Sequence, residues 1–352
     1  MDLKAIGYFL TAPNTPFERR EFTIAAPAAD EVIVQVAGCG LCHTDISFYT
    51  GAVGTKQPLP LVLGHEISGK VVVTGDNFKH LEAKNVIIPA VLPCGECDLC
   101  KMGRENICQK QKMPGNDFHG GFATHIKVPA RFLCILPSDL KSFALAHFSV
   151  VADAITTPYQ SLVRSGLKKG ELAVIIGVGG VGTYMVQHAK NVGASVIALD
   201  IDDKKLAHAK KMGADLVLNT KGKVEKDLKQ ELRNWANENK MPKNCWKIFE
   251  MSGTGAGQTT AFSLLNFAGT LGVIGFTMDK LNIRLSNVMA FDADIFGNWG
   301  CRPQHYGEVV KGVLEKKINI LDNIEEHPLE SINEVLKLAL EHKLEKRAIL
   351  KP

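Results

Sequence analysis

The chain has 352 residues, 45% of them hydrophobic, and a net charge of +4. That length suits two domains, the charge is too small to argue for a nucleic-acid surface, and no apolar run approaches the roughly 20 residues that cross a membrane. No signal-peptide pattern opens the sequence. Four of the nine cysteines fall between positions 94 and 108, which points to metal rather than disulfides, so we expect a cytoplasmic protein.

Residues 1 to about 37 alternate short strand-like runs with Pro and Gly breaks. Phe22–Ile24 and Val32–Val36 are the clearest predicted strands, and nothing in this segment carries chemistry. The first chemical stretch is Ala37-Gly38-Cys39-Gly40-Leu41-Cys42-His43-Thr44-Asp45, followed by Gly64-His65-Glu66. Thiolate sulfur and imidazole nitrogen are preferred zinc ligands, and a catalytic zinc keeps three protein ligands with one position open. Cys42 and His65 alone are a weak pair, because both residue types are often buried for packing, and Cys39 competes as a ligand.

Next come Cys94, Cys97, Cys100 and Cys108, spaced C-x2-C-x2-C-x7-C. Four thiolates on one short lobe, about residues 93–109, can close a tetrahedral shell with no open position, as a structural zinc requires. Four cysteines also hold iron–sulfur clusters. The last spacing and the place of Pro93 depart from the bacterial ferredoxin run, and ligand preference favours zinc.

Leu172–Ile176 is a β-branched apolar run that suits a strand buried on both faces. Gly177-Val178-Gly179-Gly180-Val181-Gly182 then forces a tight turn, Thr183–Val192 reads as a helix closed by Gly193, and a second strand, Ser195–Leu199, ends at Asp200. This is the sequence of elements that a dinucleotide needs. Gly177 permits the turn, Gly179 lets the backbone approach a pyrophosphate, and Gly182 allows close packing of helix on strand. The helix N-terminus, entered through Gly180 and Val181, faces the phosphates. Asp200 should accept hydrogen bonds from the adenosine ribose and repel a 2′-phosphate, selecting NAD over NADP; the bland alternative is a strand-end cap. The lysines from Lys204 to Lys247 alternate with acids and read as a solvated helical face.

In their order and spacing, Gly40–Asp45, Gly64–Glu66, the four-cysteine lobe, Gly120-Gly121-Phe122-Ala123 and the glycine turn resemble the zinc-dependent medium-chain alcohol dehydrogenases over essentially the whole chain. The resemblance implies an α/β fold in which a Rossmann doubly wound parallel sheet, residues 155–296, interrupts a GroES-like, mainly β catalytic domain, residues 1–154 and 297–352. Arg347-Ala348-Ile349-Leu350 resembles the returning catalytic segment. Two zinc ions per chain, NAD+, a small-molecule alcohol and a homodimer or homotetramer are also implied, with neither nucleic acid nor membrane as partner.

By family position the third catalytic-zinc ligand is Asp153, where many relatives have cysteine. The residue-level alternative makes Asp153 a helix N-cap while Glu66 completes the shell, and ligand exchange with this glutamate is a habit of the family. Thr44 matches the hydroxyl that takes the alcohol proton, and His43 and Arg347 match residues on the cofactor pyrophosphate. Ser47 stands where many members have a proton-passing histidine. Within the family, Ala37–Tyr49, Met113–Asp117 and Val150–Gln160 resemble the 6-hydroxycyclohex-1-ene-1-carbonyl-CoA dehydrogenases of anaerobic benzoyl-CoA degradation. That implies an allylic ring alcohol of a CoA thioester as substrate. The alternatives are a general alcohol dehydrogenase of simple alcohols and a catalytically silent zinc- and nucleotide-binding protein; Cys42, His65 and Thr44 together argue against the latter.

Overall fold

A computed structural model describes residues 2–352. In chain order the first strands are β1 (Leu3–Leu10), β2 (Glu18–Ile24), β3 (Glu31–Gly40), β4 (Leu61–Val62), β5 (Glu66–Thr74), β6 (Asn85–Ile88), β7 (His125–Pro129) and β8 (Cys134–Ile135), with helix α1 (His43–Thr50) after β3 and a short helix α2 (Asp98–Lys101) in the cysteine lobe. Helix α3 (Thr156–Ser165) leads into β9 (Leu172–Ile176), α4 (Gly182–Asn191), β10 (Ser195–Asp200), α5 (Asp203–Lys211), β11 (Leu216–Asn219), α6 (Glu225–Glu238), β12 (Lys247–Glu250), α7 (Gly255–Leu264), β13 (Thr270–Val273) and β14 (Asp294–Gly297). The last strands are β15 (Ile324–Pro328) and β16 (Arg347–Lys351).

The chain divides into two compact units. One comprises the residues up to Thr156 with Gly300–Lys316 and Ile320–Pro352; the other comprises Thr157–Trp299 and Lys317–Asn319. The divisions fall slightly later in the chain than residues 154 and 296, and a three-residue return to the second unit has no sequence signal. The first unit holds a three-stranded sheet, β2-β1-β4, and a larger one, β15-β16-β3-β5-β6-β8, with β7 also on β3. The returning end of the chain closes this sheet, since β16 pairs antiparallel with β3 in the register Ile349↔Gly40 and Leu350↔Cys39. Its core gathers Leu10, Val34, Leu63, Phe122 and Ile126 with Ile332 and Leu350 from the far end of the sequence.

The second unit is a parallel sheet in the order β11-β10-β9-β12-β13-β14, the doubly wound arrangement. Its central strand alternates strictly. Leu172, Val174 and Ile176 pack into one face's core, and Ala173 and Ile175 into the other's. A run this apolar is stable only with helices on both sides, which is why it lacks the alternation of a half-exposed strand. Among the described residues no helix is long and apolar enough to cross a membrane.

The lysine-rich stretch is only partly the solvated face expected of it. Helix α6 buries Leu228, Leu232 and Ala236 at a spacing of four, as an amphipathic helix must. Lys229, however, turns inward. Its ammonium donates to the carbonyls of Ser263 (2.8 Å) and Leu265 (2.7 Å), closing the C-terminus of α7, and lies 5.6 Å from the centre of the Phe291 ring. Desolvation, and then the nearby Arg233, pull its pKa down to about 8. The unfolded chain therefore binds more protons than the folded one between about pH 8 and the ordinary lysine value near 10.5, so this group adds stability as pH rises through that window. Lys229→Met should lower the Tm at pH 7 through the lost carbonyl bonds, and the gap to wild type should widen from pH 8 to pH 10. A gap that stays constant in thermal melts across that range would refute the assignment.

Candidate active site

Cys42 lies two positions past the end of β3, at the N-cap of helix α1, and His65 immediately precedes β5. Because β3 and β5 pair with Gly40 opposite Glu66, two segments far apart in sequence meet. The finer placement belongs to Asp45, which is 1% exposed. Its Oδ2 accepts the amide of Cys42 (3.0 Å), its Oδ1 accepts the amide of Gly64 (3.0 Å), and the same Oδ1 faces His65 Nδ1 at 3.3 Å. A carboxylate on one imidazole nitrogen fixes the ring and leaves the other nitrogen, Nε2, for a metal. The sequence reading missed this role; the signal was an acid three residues past a candidate cysteine ligand.

Asp153 completes the cluster. Its Oδ2 lies 3.6 Å from His65 Nε2 and 3.9 Å from Cys42 Sγ, so the carboxylate faces the candidate ligands. Glu66 is fully buried, and its Oε1 accepts from Arg347 at 2.8 Å. Burial pushes the Glu66 carboxyl up to about 7, and the Arg347 guanidinium pulls against that rise. One donor atom each from Cys42, His65, Glu66 and Asp153 lie within 4.8 Å of one another. His65 Nε2 and Glu66 Oε2 are buried and make no hydrogen bond. Thiolate, imidazole and carboxylate donors around unsatisfied buried atoms fit a zinc ion.

Cys39 does not join this group. Its side chain is fully buried, packed where a Cβ on Gly64 or Gly121 would strike its sulfur. Thr44 does sit at the centre, with Oγ1 3.9 Å from Cys42 Sγ. Ser47, one helical turn beyond His43, donates its hydroxyl to the His43 carbonyl at 3.1 Å. His43 is exposed, whereas the Arg347 side chain is only 7% exposed and also reaches the Leu41 carbonyl at 3.4 Å.

In the cysteine lobe the sulfurs of Cys94, Cys97, Cys100 and Cys108 approach one another at 3.5–3.9 Å. Four sulfurs about 2.3 Å from one zinc would stand about 3.8 Å apart, so the lobe fits a single tetrahedral ion rather than a multi-iron cluster. Backbone amides of Glu96 and Cys97 pull the Cys94 thiol down to about 6, readying it as a thiolate. The lobe is anchored by Glu105, whose carboxylate takes Arg302 Nε at 2.7 Å and Gln304 Nε2 at 2.9 Å.

The glycine turn lies in the second unit. Gly177 has φ +82°, and a Cβ there would stand 2.5 Å from the backbone of Ser252. A Cβ on Gly182 would collide with the Gly177 carbonyl oxygen, while nothing lies within 4 Å of one on Gly179. That open cradle ahead of α4, with Gly180 and Val181 on its rim, fits a dinucleotide pyrophosphate. Asp200 is more committed than expected. Its Oδ2 accepts the Val178 amide (2.9 Å), and its Oδ1 accepts the amides of Ile201 (2.8 Å) and Asp202 (3.1 Å). Of roughly four acceptor sites on a carboxylate, one remains for a ligand.

Residues 28–138 match the alcohol dehydrogenase GroES-like domain family, and residues 180–315 the zinc-binding dehydrogenase family. An alcohol dehydrogenase of Geobacillus stearothermophilus is 30% identical over 96% of both chains. The chain belongs to the zinc-dependent medium-chain alcohol dehydrogenases. Membership makes it an alcohol-oxidising oxidoreductase. The solved alcohol dehydrogenase of Aeropyrum pernix superposes on this member with a TM-score of 0.88 at 26% identity, over 99% of this chain and 100% of that one. The acetophenone reductase of Geotrichum candidum, solved with NAD, shares the fold at a TM-score of 0.85 and 23% identity over 99% and 97% of the two chains.

Elemental analysis of this dehydrogenase should find two zinc ions per chain. Asp45→Asn keeps the size of the side chain but sets an amide against the donors around it. It should weaken zinc retention at Cys42 and His65 by about 10–100-fold while the cysteine-lobe zinc survives the same chelator. Equal loss from both sites, measured as zinc released over time, would contradict the orienting role.

Proposed function

We propose that the chain oxidises small primary or secondary alcohols to carbonyl compounds with NAD+ as hydride acceptor. Cys42, His65 and Asp153 would hold the catalytic zinc, with Glu66 as an exchange ligand, and Cys94, Cys97, Cys100 and Cys108 the structural one. The observation that carries this reading is the Thr44 hydroxyl beside a buried thiolate–imidazole–carboxylate donor set, in a chain of this family. A silent zinc-binding protein needs no hydroxyl there.

When bound, zinc supplies Lewis acidity toward an alcohol oxygen, and NAD+ supplies the hydride acceptor. The chain's own residues handle the proton and the positions. Thr44 Oγ1 receives the alcohol proton. Ser47 is poorly placed to pass it on, because its single O–H is spent on the His43 carbonyl. Water therefore carries the proton outward, and the absence of a histidine here costs the chain a titrating relay. Arg347 pairs with Glu66 and pulls its carboxyl down against the rise that burial imposes. The amides at Gly179 to Gly182 are assigned to the pyrophosphate. The remaining acceptor site of Asp200 takes a ribose hydroxyl, and its charge repels a 2′-phosphate.

The names of the relatives support the general reading over the narrower one, in which a cyclic allylic hydroxyacyl-CoA is the substrate. The narrower reading rests on three short stretches of resemblance. Comparing kcat/KM for ethanol, a simple secondary alcohol and 6-hydroxycyclohex-1-ene-1-carbonyl-CoA, each with NAD+ and with NADP+, separates them. Simple alcohols should be turned over and NAD+ preferred; strong turnover of the thioester alone would transfer the assignment to it. Thr44→Val should depress kcat about a hundredfold or more, and Ser47→Ala far less. A zinc-loaded chain that reduces neither coenzyme with any of these alcohols would overturn the reading.

A further inference from the structure

We propose that Glu250 is a positioning residue for the coenzyme, a buried carboxylate that ties together the loops flanking the glycine turn. The inference rests on the coenzyme reading above. Glu250 ends β12, is fully buried, and stands in register beside Ile176, one residue ahead of Gly177. Its Oε1 accepts the Ser252 amide at 2.8 Å and also the Ser252 hydroxyl in a short bond. Its backbone carbonyl accepts the amides of Ile274 and Gly275, both at 3.0 Å, from the loop that follows β13. A Cβ on Gly275 would lie 2.7 Å from Oε2 and would strike the amide nitrogen of Gly253. The loop after β12 and the loop after β13 are thus packed together around one carboxylate.

The first of these loops is in turn pressed against the glycine turn, through the Ser252 backbone that excludes any side chain at Gly177. The ends of β12 and β13 therefore meet at Glu250, and the Ser252 loop that its carboxylate holds packs on the turn after β9, all at the carboxyl edge of the sheet. That is the edge where a doubly wound sheet receives its ligand. Burial pushes the Glu250 carboxyl up, and the Ser252 hydroxyl and amide hold it down at Oε1, with the amides of Gly253 and Gly275 close by and no cation; Oε2 is buried and makes no hydrogen bond. A buried anion without a counter-charge is costly and persists where directed amides need it. Here it fixes the walls of the dinucleotide cradle before the ligand arrives, which spares the ordering cost on binding.

The test uses the zinc-loaded full chain and NADH as probe, followed by nicotinamide fluorescence. Glu250→Gln preserves size but turns an amide N–H toward amide donors. The NADH Kd should rise by about tenfold, the size of one lost charge-assisted hydrogen bond, and the KM for NAD+ should rise with it. The kcat at saturating NAD+ and the KM for the alcohol should hold. Ser252→Ala removes only the hydroxyl bond and should raise the Kd by about threefold, which keeps the test alive if the glutamine variant fails to fold. Wild type that binds NADH while the folded variants bind it equally well overturns the inference alone. Wild type that takes up no NADH overturns the coenzyme reading and this inference with it.

Discussion

The geometry of the candidate centre depends on the carboxylate of Asp45. It takes an amide from the segment leaving β3 and another from the segment entering β5, and it meets the imidazole between them. Strand pairing alone would bring Cys42 and His65 into the same neighbourhood; three directed contacts on one anion bring them to a common point. A carboxylate at 1% exposure is expensive unless its acceptor sites are used, and here they are used on the two chain segments that must not drift apart.

Around that anchor the charges are lopsided. Cys42, Asp45, Glu66 and Asp153 are all capable of negative charge, and Arg347 is the guanidinium that pairs with Glu66 at 2.8 Å. In a low-dielectric interior such a set repels itself, and a divalent cation relieves the repulsion while using atoms that are otherwise unsatisfied. Asp153 in place of a second thiolate makes the donor set harder.

What could be read in the sequence was local. The glycine turn is legible because close approach and positive φ leave only one residue type possible at Gly177. The cysteine lobe is legible because its four ligands fall within one short loop. The pairing of Arg347 with Glu66 and the grip of Asp45 on two amides were hidden, since each depends on strand register across distant segments. The same holds for Lys229, whose inward turn is decided by where α7 ends and not by the lysine-rich pattern around it. Glu250 gave no signal either, because an acid at a strand end looks the same whether it faces water or the buried Ser252 loop.

The way β16 lies along β3 bears on the order in which the molecule is made. The strand carrying Arg347 lies beyond the parallel sheet in the chain, and it completes a sheet begun ahead of that sheet. The parallel sheet between them is drawn almost wholly from one continuous stretch, so its partners are available as soon as that stretch emerges. A domain whose contacts are contiguous can settle during synthesis, whereas one that awaits its far end must leave apolar strands open meanwhile. The parallel sheet can therefore pair as soon as its own stretch is made, whereas the sheet of the other unit is incomplete until β16 is present. A nascent chain stalled before residue 347 would hold the glycine turn and its flanking loops complete, while Glu66 still lacked the guanidinium that pairs with it.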